Sequence, residues 1–225
     1  MSQRFASLED VVADHAFIEV DVALRRGRHI DRDDGDLYQF LVDTQSFLEP
    51  LYLRYACELV ARPDGYFYLL PHGDRFASRR LTPGEMLVGQ TLALLYLDPA
   101  TVQSGGFVTN EQILSRLSGL VPPRELAKAL EPRKQRFDDE RVVSELIRRK
   151  VGQGLRRLDA LGFVELVDDE RIRLRAPLSR FAEPIVGLAD PVEAMRRLVA
   201  EGKVVLEATP GADEPVETDE EEHDE

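Results

Sequence analysis

The segment from Arg133 to Arg157 concentrates side chains that could bind phosphate. It holds Arg133, Lys134, Arg136, Arg141, Arg148, Arg149, Lys150, Arg156 and Arg157 against Asp138, Asp139, Glu140 and Glu145, a net of +5 over 25 residues. Guanidinium groups present several N–H donors in one plane and grip phosphate oxygens in pairs. A row of them on one helix face suits a polyanion backbone, recognised by charge and not by base sequence. A second set lies close by. Arg171, Arg173 and Arg175 alternate with Ile172 and Leu174. In an extended strand the arginines then share one face and the aliphatics the other. The predicted phosphate contacts are Arg148, Arg149, Lys150, Arg156, Arg157, Arg171, Arg173 and Arg175. A merely solvated basic face is the alternative, because Arg and Glu are ordinary surface residues.

Catalytic chemistry is poorly supplied. His15, His29, His72 and His223 are scattered, and no two have metal-ligand spacing. Gly105-Gly106 is followed by Phe-Val-Thr, without the Lys-Ser/Thr of a nucleotide loop. No Gly-x-Ser-x-Gly elbow occurs. Asp33-Asp34, Asp138-Asp139 and Asp168-Asp169 fall in expected loops or caps, where solvated carboxylates are ordinary. The chain is read as a non-enzyme with no metal and no other cofactor.

Helices and hairpins must position the basic residues. Ser7 with Asp10, Thr82 with Glu85, and Thr109 with Gln112 are capping boxes that open helices. Pro83 follows Thr82 at a first-turn position, where its missing N–H costs nothing. The apolar spacing predicts helices near 7–25, 37–56, 84–97, 110–118, 123–131, 139–161 and 191–201. In the sixth, Val143, Leu146, Ile147, Leu155, Leu158 and Leu161 form the buried stripe, and Gly162 ends it. Gly152 and Gly154 weaken that helix, and mark either a close approach or a kink. Glu58 to Arg62 and Tyr66 to Leu70 flank Pro63-Asp64-Gly65, a strong hairpin signal. Phe163 to Val167 and Arg171 to Arg175 form a second hairpin.

Each hairpin follows a long helix and closes a block of helices. Helices followed by a hairpin are the winged-helix variant of helix-turn-helix, in which the helix before the wing is presented to DNA. The expected fold is mainly α with short β-hairpins (α+β). It divides into an N-terminal winged-helix domain at 1–75, a second at 76–180, a helical extension at 181–206 and a disordered acidic tail at 207–225. The polar stretch 72–80 serves as linker.

The first block is rich in aromatics. Tyr66, Phe67 and Tyr68 put rings on both faces of one strand, so one face is expected at a protein interface. Arg26 and Arg28 belong to a second basic patch, with Asp31, Asp33, Asp34 and Asp36 following at once. Arg26 and Arg28 are candidate contacts with DNA or a protein partner; on charge alone the patch is a turn balanced by its own acids.

Composition bounds the rest. At 225 residues the chain holds one or two domains, with 43% hydrophobic residues to build a core. The net charge is −13, but 207–225 carry ten acids and no Lys or Arg, so the remainder holds 32 acids and 29 bases, a net of −3. A pI near 4.9 therefore does not exclude a local basic face. The single Cys57 allows neither an intrachain disulfide nor a zinc cluster, which fits a reducing cytoplasm. Residues 1–10 lack the apolar run of a signal peptide, and no stretch is long enough for a membrane span. A soluble intracellular protein is expected.

Several segments together resemble the MukE/MksE family. They are Ala23-Leu24-Arg25-Arg26-Gly27-Arg28-His29-Ile30, Phe40-Leu41, Leu51-Tyr52-Leu53-Arg54-Tyr55, Pro63-Asp64-Gly65-Tyr66-Phe67-Tyr68-Leu69, Met86-Leu87-Val88-Gly89-Gln90 and Asp190 to Leu198. In this order they cover about residues 15–202. The loop from Gly119 to Phe137 and the acidic tail do not match. The resemblance implies two winged-helix domains and a homodimer. It implies binding to a kleisin subunit of the MukF/MksF kind, docked on the ATPase heads of a MukB/MksB-like SMC protein. It further implies a cytoplasmic, nucleoid-associated role in organising DNA without hydrolysing ATP, with sequence-nonspecific DNA contact and no membrane. Chromosome maintenance and plasmid defence are both open, as is the choice between MukE and MksE branches. A dimeric winged-helix regulator is a second reading, although helix 139–161 offers only Ser144 and Gln153 beside its arginines for base readout. A third is a module whose basic stripe grips an acidic protein.

Overall fold

The computed structural model describes residues 4–72, 81–131, 139–168 and 170–182. Arg133, Lys134, Arg136, the expected boundary at 75/76, the helix expected at 191–201 and the tail 207–225 lie outside the described residues.

The chain is mainly α-helical, with short antiparallel strands. Its first half runs α1 (Leu8–Ala13), α2 (His15–Arg25), β1 (Ile30–Asp31), α3 (Asp36–Leu53), β2 (Cys57–Arg62) and β3 (Tyr66–Pro71). The second runs α4 (Pro83–Tyr96), α5 (Pro99–Gln103), β4 (Phe107–Thr109), α6 (Asn110–Leu120), α7 (Pro123–Leu130), α8 (Glu140–Ala160), β5 (Val164–Leu166), β6 (Arg171–Leu174) and α9 (Ser179–Ala182).

Local chemistry accounts for the helix starts. Ser7, Thr82 and Thr109 each accept from the backbone N–H three residues on, and Asp10, Glu85 and Gln112 reach back reciprocally. The expected helix 7–25 is two helices. Asp14 is extended at ψ 137° and its carboxylate accepts from Ala16 N at 2.9 Å. A short carboxylate capping a new helix outcompetes one more turn of the old one.

Both hairpins form, and each gains a third strand. In the first sheet β3 is central, between β1 and β2; in the second β6 is central, between β4 and β5. Ile30 pairs with Phe67 and Asp31 with Tyr66; Phe107 pairs with Arg173 and Val108 with Ile172. The two halves therefore repeat one sheet topology. Strands β1 and β4 are two and three residues long, too short to leave a periodic signal.

Buried apolar side chains fall into two clusters. One joins Val11, Val20, Leu24, Phe40, Leu41, Leu48 and Phe67; the other joins Leu87, Leu92, Ile113, Leu117, Leu126, Leu158 and Ile172. Helix α8 crosses the second cluster. Its Val143, Leu146, Ile147, Val151, Leu155 and Leu158 are buried. Gly154 shares that face, where an added Cβ would stand 3.3 Å from Val88 of α4, so glycine lets the two helices close.

Candidate functional site

Helix α8 starts at Asp139, which accepts from Arg141 N at 2.8 Å. At about 100° per residue, Arg141, Glu145, Arg148, Arg149, Gly152 and Arg156 line the face opposite the buried stripe. The four arginines are exposed. Among the described residues, none of these four is ion-paired with a carboxylate. Gly152 leaves an opening between them, because an added Cβ would meet nothing nearer than Arg156 Nη1 at 3.9 Å. Arg157 is half-buried at the edge of this face. Lys150 is turned aside and pairs with Glu131, just beyond α7. The outward face of α8 is thus a cationic surface with its charges available.

The β5–β6 hairpin behind it is different. Ile172 and Leu174 are buried in the second cluster and the arginines of β6 take the other face, as the alternation requires. That face is occupied. Arg171 pairs with Asp168 at 2.7 Å near the wing tip. Arg173 meets Asp33 at 3.0 Å and Glu165 at 3.8 Å. Arg175 is 5% exposed. Its Nε donates to Asp31 Oδ2 at 3.1 Å and its Nη2 to Asp34 Oδ2 at 2.6 Å, with a further bond to Asp31 Oδ1. Burial opposes the charge on Arg175, and the carboxylates of Asp31 and Asp34 more than offset that. The expectation that Arg173 and Arg175 face phosphate is corrected here: their charges are already matched by the first half of the chain.

Those aspartates are rigidly placed. The turn Arg32–Asp34 is a capping box in which Asp33 N donates to Asp31 Oδ1 and Asp31 N to Asp34 Oδ2, both at 2.9 Å. Arg28 Nη2 donates to Asp34 Oδ1 at 2.8 Å. Asp34 therefore bridges two guanidinium groups from opposite halves. The acid run is balanced by both its own neighbours and the distant wing.

A buried histidine completes the seam between the halves. His29 N and its Nδ1 both meet Leu161 O, at 2.9 and 3.0 Å. Arg180 donates to His29 Nε2 at 2.7 Å. Nε2 must accept, so the proton sits on Nδ1 and the ring is neutral. Burial first, then the Arg180 charge, pushes His29 down to about 3. Its ring lies 4.3 Å from Phe163 and 5.3 Å from Tyr68 between centroids. Gly162, at φ +77°, passes so close that an added Cβ would stand 2.3 Å from His29 O.

The aromatic strand serves this seam. Tyr66 is 0% exposed, and its hydroxyl lies 3.2 Å from Ser179 Oγ. Phe67 is buried in the first cluster against Tyr38. Tyr68 is half-buried with Arg180 4.0 Å over its ring. The rings that suggested an external partner surface are engaged within the chain, Tyr66 and Tyr68 by its second half and Phe67 by its first. This corrects the expectation for Tyr66 and Phe67. Arg28 is half-buried and paired with Asp34, while Arg26 is exposed. Ile18 and Val22 lie four residues apart on α2, with Arg26 capping its C-terminus four residues further; Ile18 is 67% and Val22 41% exposed. Ile18 and Val22 thus form an exposed apolar patch on α2 among the described residues, flanked by Arg26.

Sequence reasoning missed Asp31, Asp34, His29 and Arg180 as a unit. The available signal was charge complementarity between an acid run and an arginine strand some 140 residues apart. Among the described residues, no group of three His, Cys, Asp or Glu side chains could hold a metal, and no helix is long and apolar enough to cross a membrane.

Comparison with known proteins places this architecture. The family described as MukE-like matches residues 1–225. Chromosome partition protein MukE of Shigella flexneri is 34% identical over 201 residues, 88% of each chain. The protein of that name from Actinobacillus succinogenes is 34% identical over 215 residues, 95% of this chain and 87% of its own. That of Vibrio cholerae is 35% identical over 202 residues, 89% of this chain and 86% of its own. The family match spans both halves of the chain, and the chain belongs to the MukE-like family.

Proposed function

We propose that this chain is a non-catalytic accessory subunit of a bacterial SMC complex of the MukBEF or MksBEF type. It dimerises, grips a kleisin subunit, and docks with it on the SMC ATPase. The family match over the whole chain, with relatives named as chromosome partition proteins, carries this reading. In it the two repeated blocks, 1–75 and 76–180, are winged-helix domains, 181–206 extends the second, and the protein works in the cytoplasm on the nucleoid.

DNA is contacted through α8. Arg148, Arg149 and Arg156, with Arg141 beside them, meet successive phosphates, and the gap at Gly152 admits the backbone. Lys150 and Arg157 flank this set, and Arg171 adds one exposed charge at the wing tip. The exposed α2 stripe of Ile18, Val22 and Arg26 is the protein-binding counterpart, replacing the aromatic strand.

Anisotropy of labelled duplex DNA, with kleisin present, tests the DNA contact. Each phosphate contact contributes about 0.9 to the slope of log affinity against log salt. Replacing Arg148, Arg149 and Arg156 by Ser should flatten that slope by about 2.7, the sum of three such contacts. An unchanged slope in a folded variant would remove α8 from the interface.

A further inference from the structure

We infer that the acidic segment 207–225 of this same chain docks along the outward face of α8 and competes there with DNA. The inference rests on the reading of α8 as a phosphate-binding face. Three observations converge on it. The arginines of the wing each have a carboxylate, as does Lys150, yet among the described residues Arg141, Arg148, Arg149 and Arg156 have none. Inside the chain, the densest run of opposite charge is its C-terminal segment. Segment 207–225 holds ten acids without a single Lys or Arg, while the other 206 residues are nearly neutral at −3.

Reach is ample. The described chain ends at Ala182, and the Phe181 ring lies 4.7 Å from Phe163, three residues past the end of α8. Helix α8 is 21 residues long, about 31 Å at 1.5 Å per residue. Residues 183–206 make a connection of 24 residues, which spans up to about 80 Å when extended. A segment tethered this way has an effective concentration on the order of millimolar, so a contact too weak to hold two separate molecules is populated within one. Carboxylates on a guanidinium row are screened within about 8 Å at physiological salt. The docked state is therefore a low-salt state, displaced by a denser polyanion such as duplex DNA.

The test uses the full chain with donor and acceptor dyes at Gln153→Cys and Val216→Cys. Cys57 is buried and stays unlabelled. Energy transfer should be high at about 50 mM salt and fall by about 200 mM, the range over which phosphate-type contacts weaken steeply. A full-length variant with the ten acids of 207–225 changed to Asn or Gln should give low transfer at both. That variant should also bind DNA roughly tenfold more tightly at low salt, the factor expected when the tethered segment occupies the face about ten times in eleven. Equal transfer in the two chains at low salt overturns the inference, whatever DNA does. Salt-sensitive transfer with no DNA binding by either chain upholds the docking and overturns the phosphate-face reading instead.

Discussion

Both carboxylate oxygens of Asp31 bind the guanidinium of Arg175, 144 residues later in the chain. Asp31 sits on the edge strand of the first sheet and Arg175 just past the central strand of the second. The pair joins the two repeated units through their sheets, and Asp34 and Arg28 extend it into a network. A strand that carries arginines for an external polyanion would leave them without carboxylate partners, as the outward arginines of α8 are among the described residues. Strand β6 instead spends its cationic face on fixing how the halves meet.

Removing Arg175 leaves the buried Asp31 without its ion-pair partner and Asp34 with Arg28 alone. Arg175→Met should cost about 3–5 kcal/mol, the usual penalty for breaking a buried ion pair from one side. Adding Asp31→Asn and Asp34→Asn should restore much of it, since the uncompensated charges go. Urea unfolding of the three chains measures this. A loss below about 1 kcal/mol in the single variant would place the seam's stability elsewhere.

His29 makes stability depend on pH. Unfolded, its imidazole takes a proton near the ordinary 6.5; folded, it resists to about 3. Between those values the unfolded state binds the extra proton. Stability from this residue is therefore full above 6.5 and is lost as pH falls, at about 1.4 kcal/mol per unit. Replacing His29 with Gln, which can still accept from Arg180, should flatten the pH profile of unfolding between 6.5 and 4.5. A profile as steep as that of the parent would mean other groups set it.

Two glycines near the same helix should respond oppositely. Gly162→Ala forces a left-handed residue against His29 O, and should cost well over the 1–3 kcal/mol of backbone strain alone. Gly152→Ala faces open space within α8 and should stabilise by about 0.5–1 kcal/mol. Thermal unfolding of both separates the seam from mere helix propensity.

Within the wing, Arg173→Ser should leave DNA affinity and its salt slope unchanged, because Asp33 and Glu165 already hold that charge. A drop comparable to that of Arg149→Ser would return the wing to the interface.

Much of this was legible before the fold was seen. The capping boxes at Ser7, Thr82 and Thr109, the stripe of α8 and both hairpins follow from local chemistry, which a single sequence contains. The short strands β1 and β4 do not, because they exist only by pairing with β3 and β6. The arginines of α8 and β6 look alike in sequence. Only the second set meets acids that lie far off along the chain, and spacing rules see no further than a turn or a strand. Tyr66 misled for the same reason: its exposure in a lone hairpin is removed by Ser179 and the rest of the second half.

The central claim is that this chain works as the kleisin-gripping subunit of an SMC complex. Its most direct test is co-purification with the kleisin-type and SMC-type proteins of the same organism, with mass by light scattering. A stable complex of kleisin with dimers of this chain, salt-sensitive on DNA, is the expected result. A lone dimer that ignores both proteins and protects one operator sequence would contradict it.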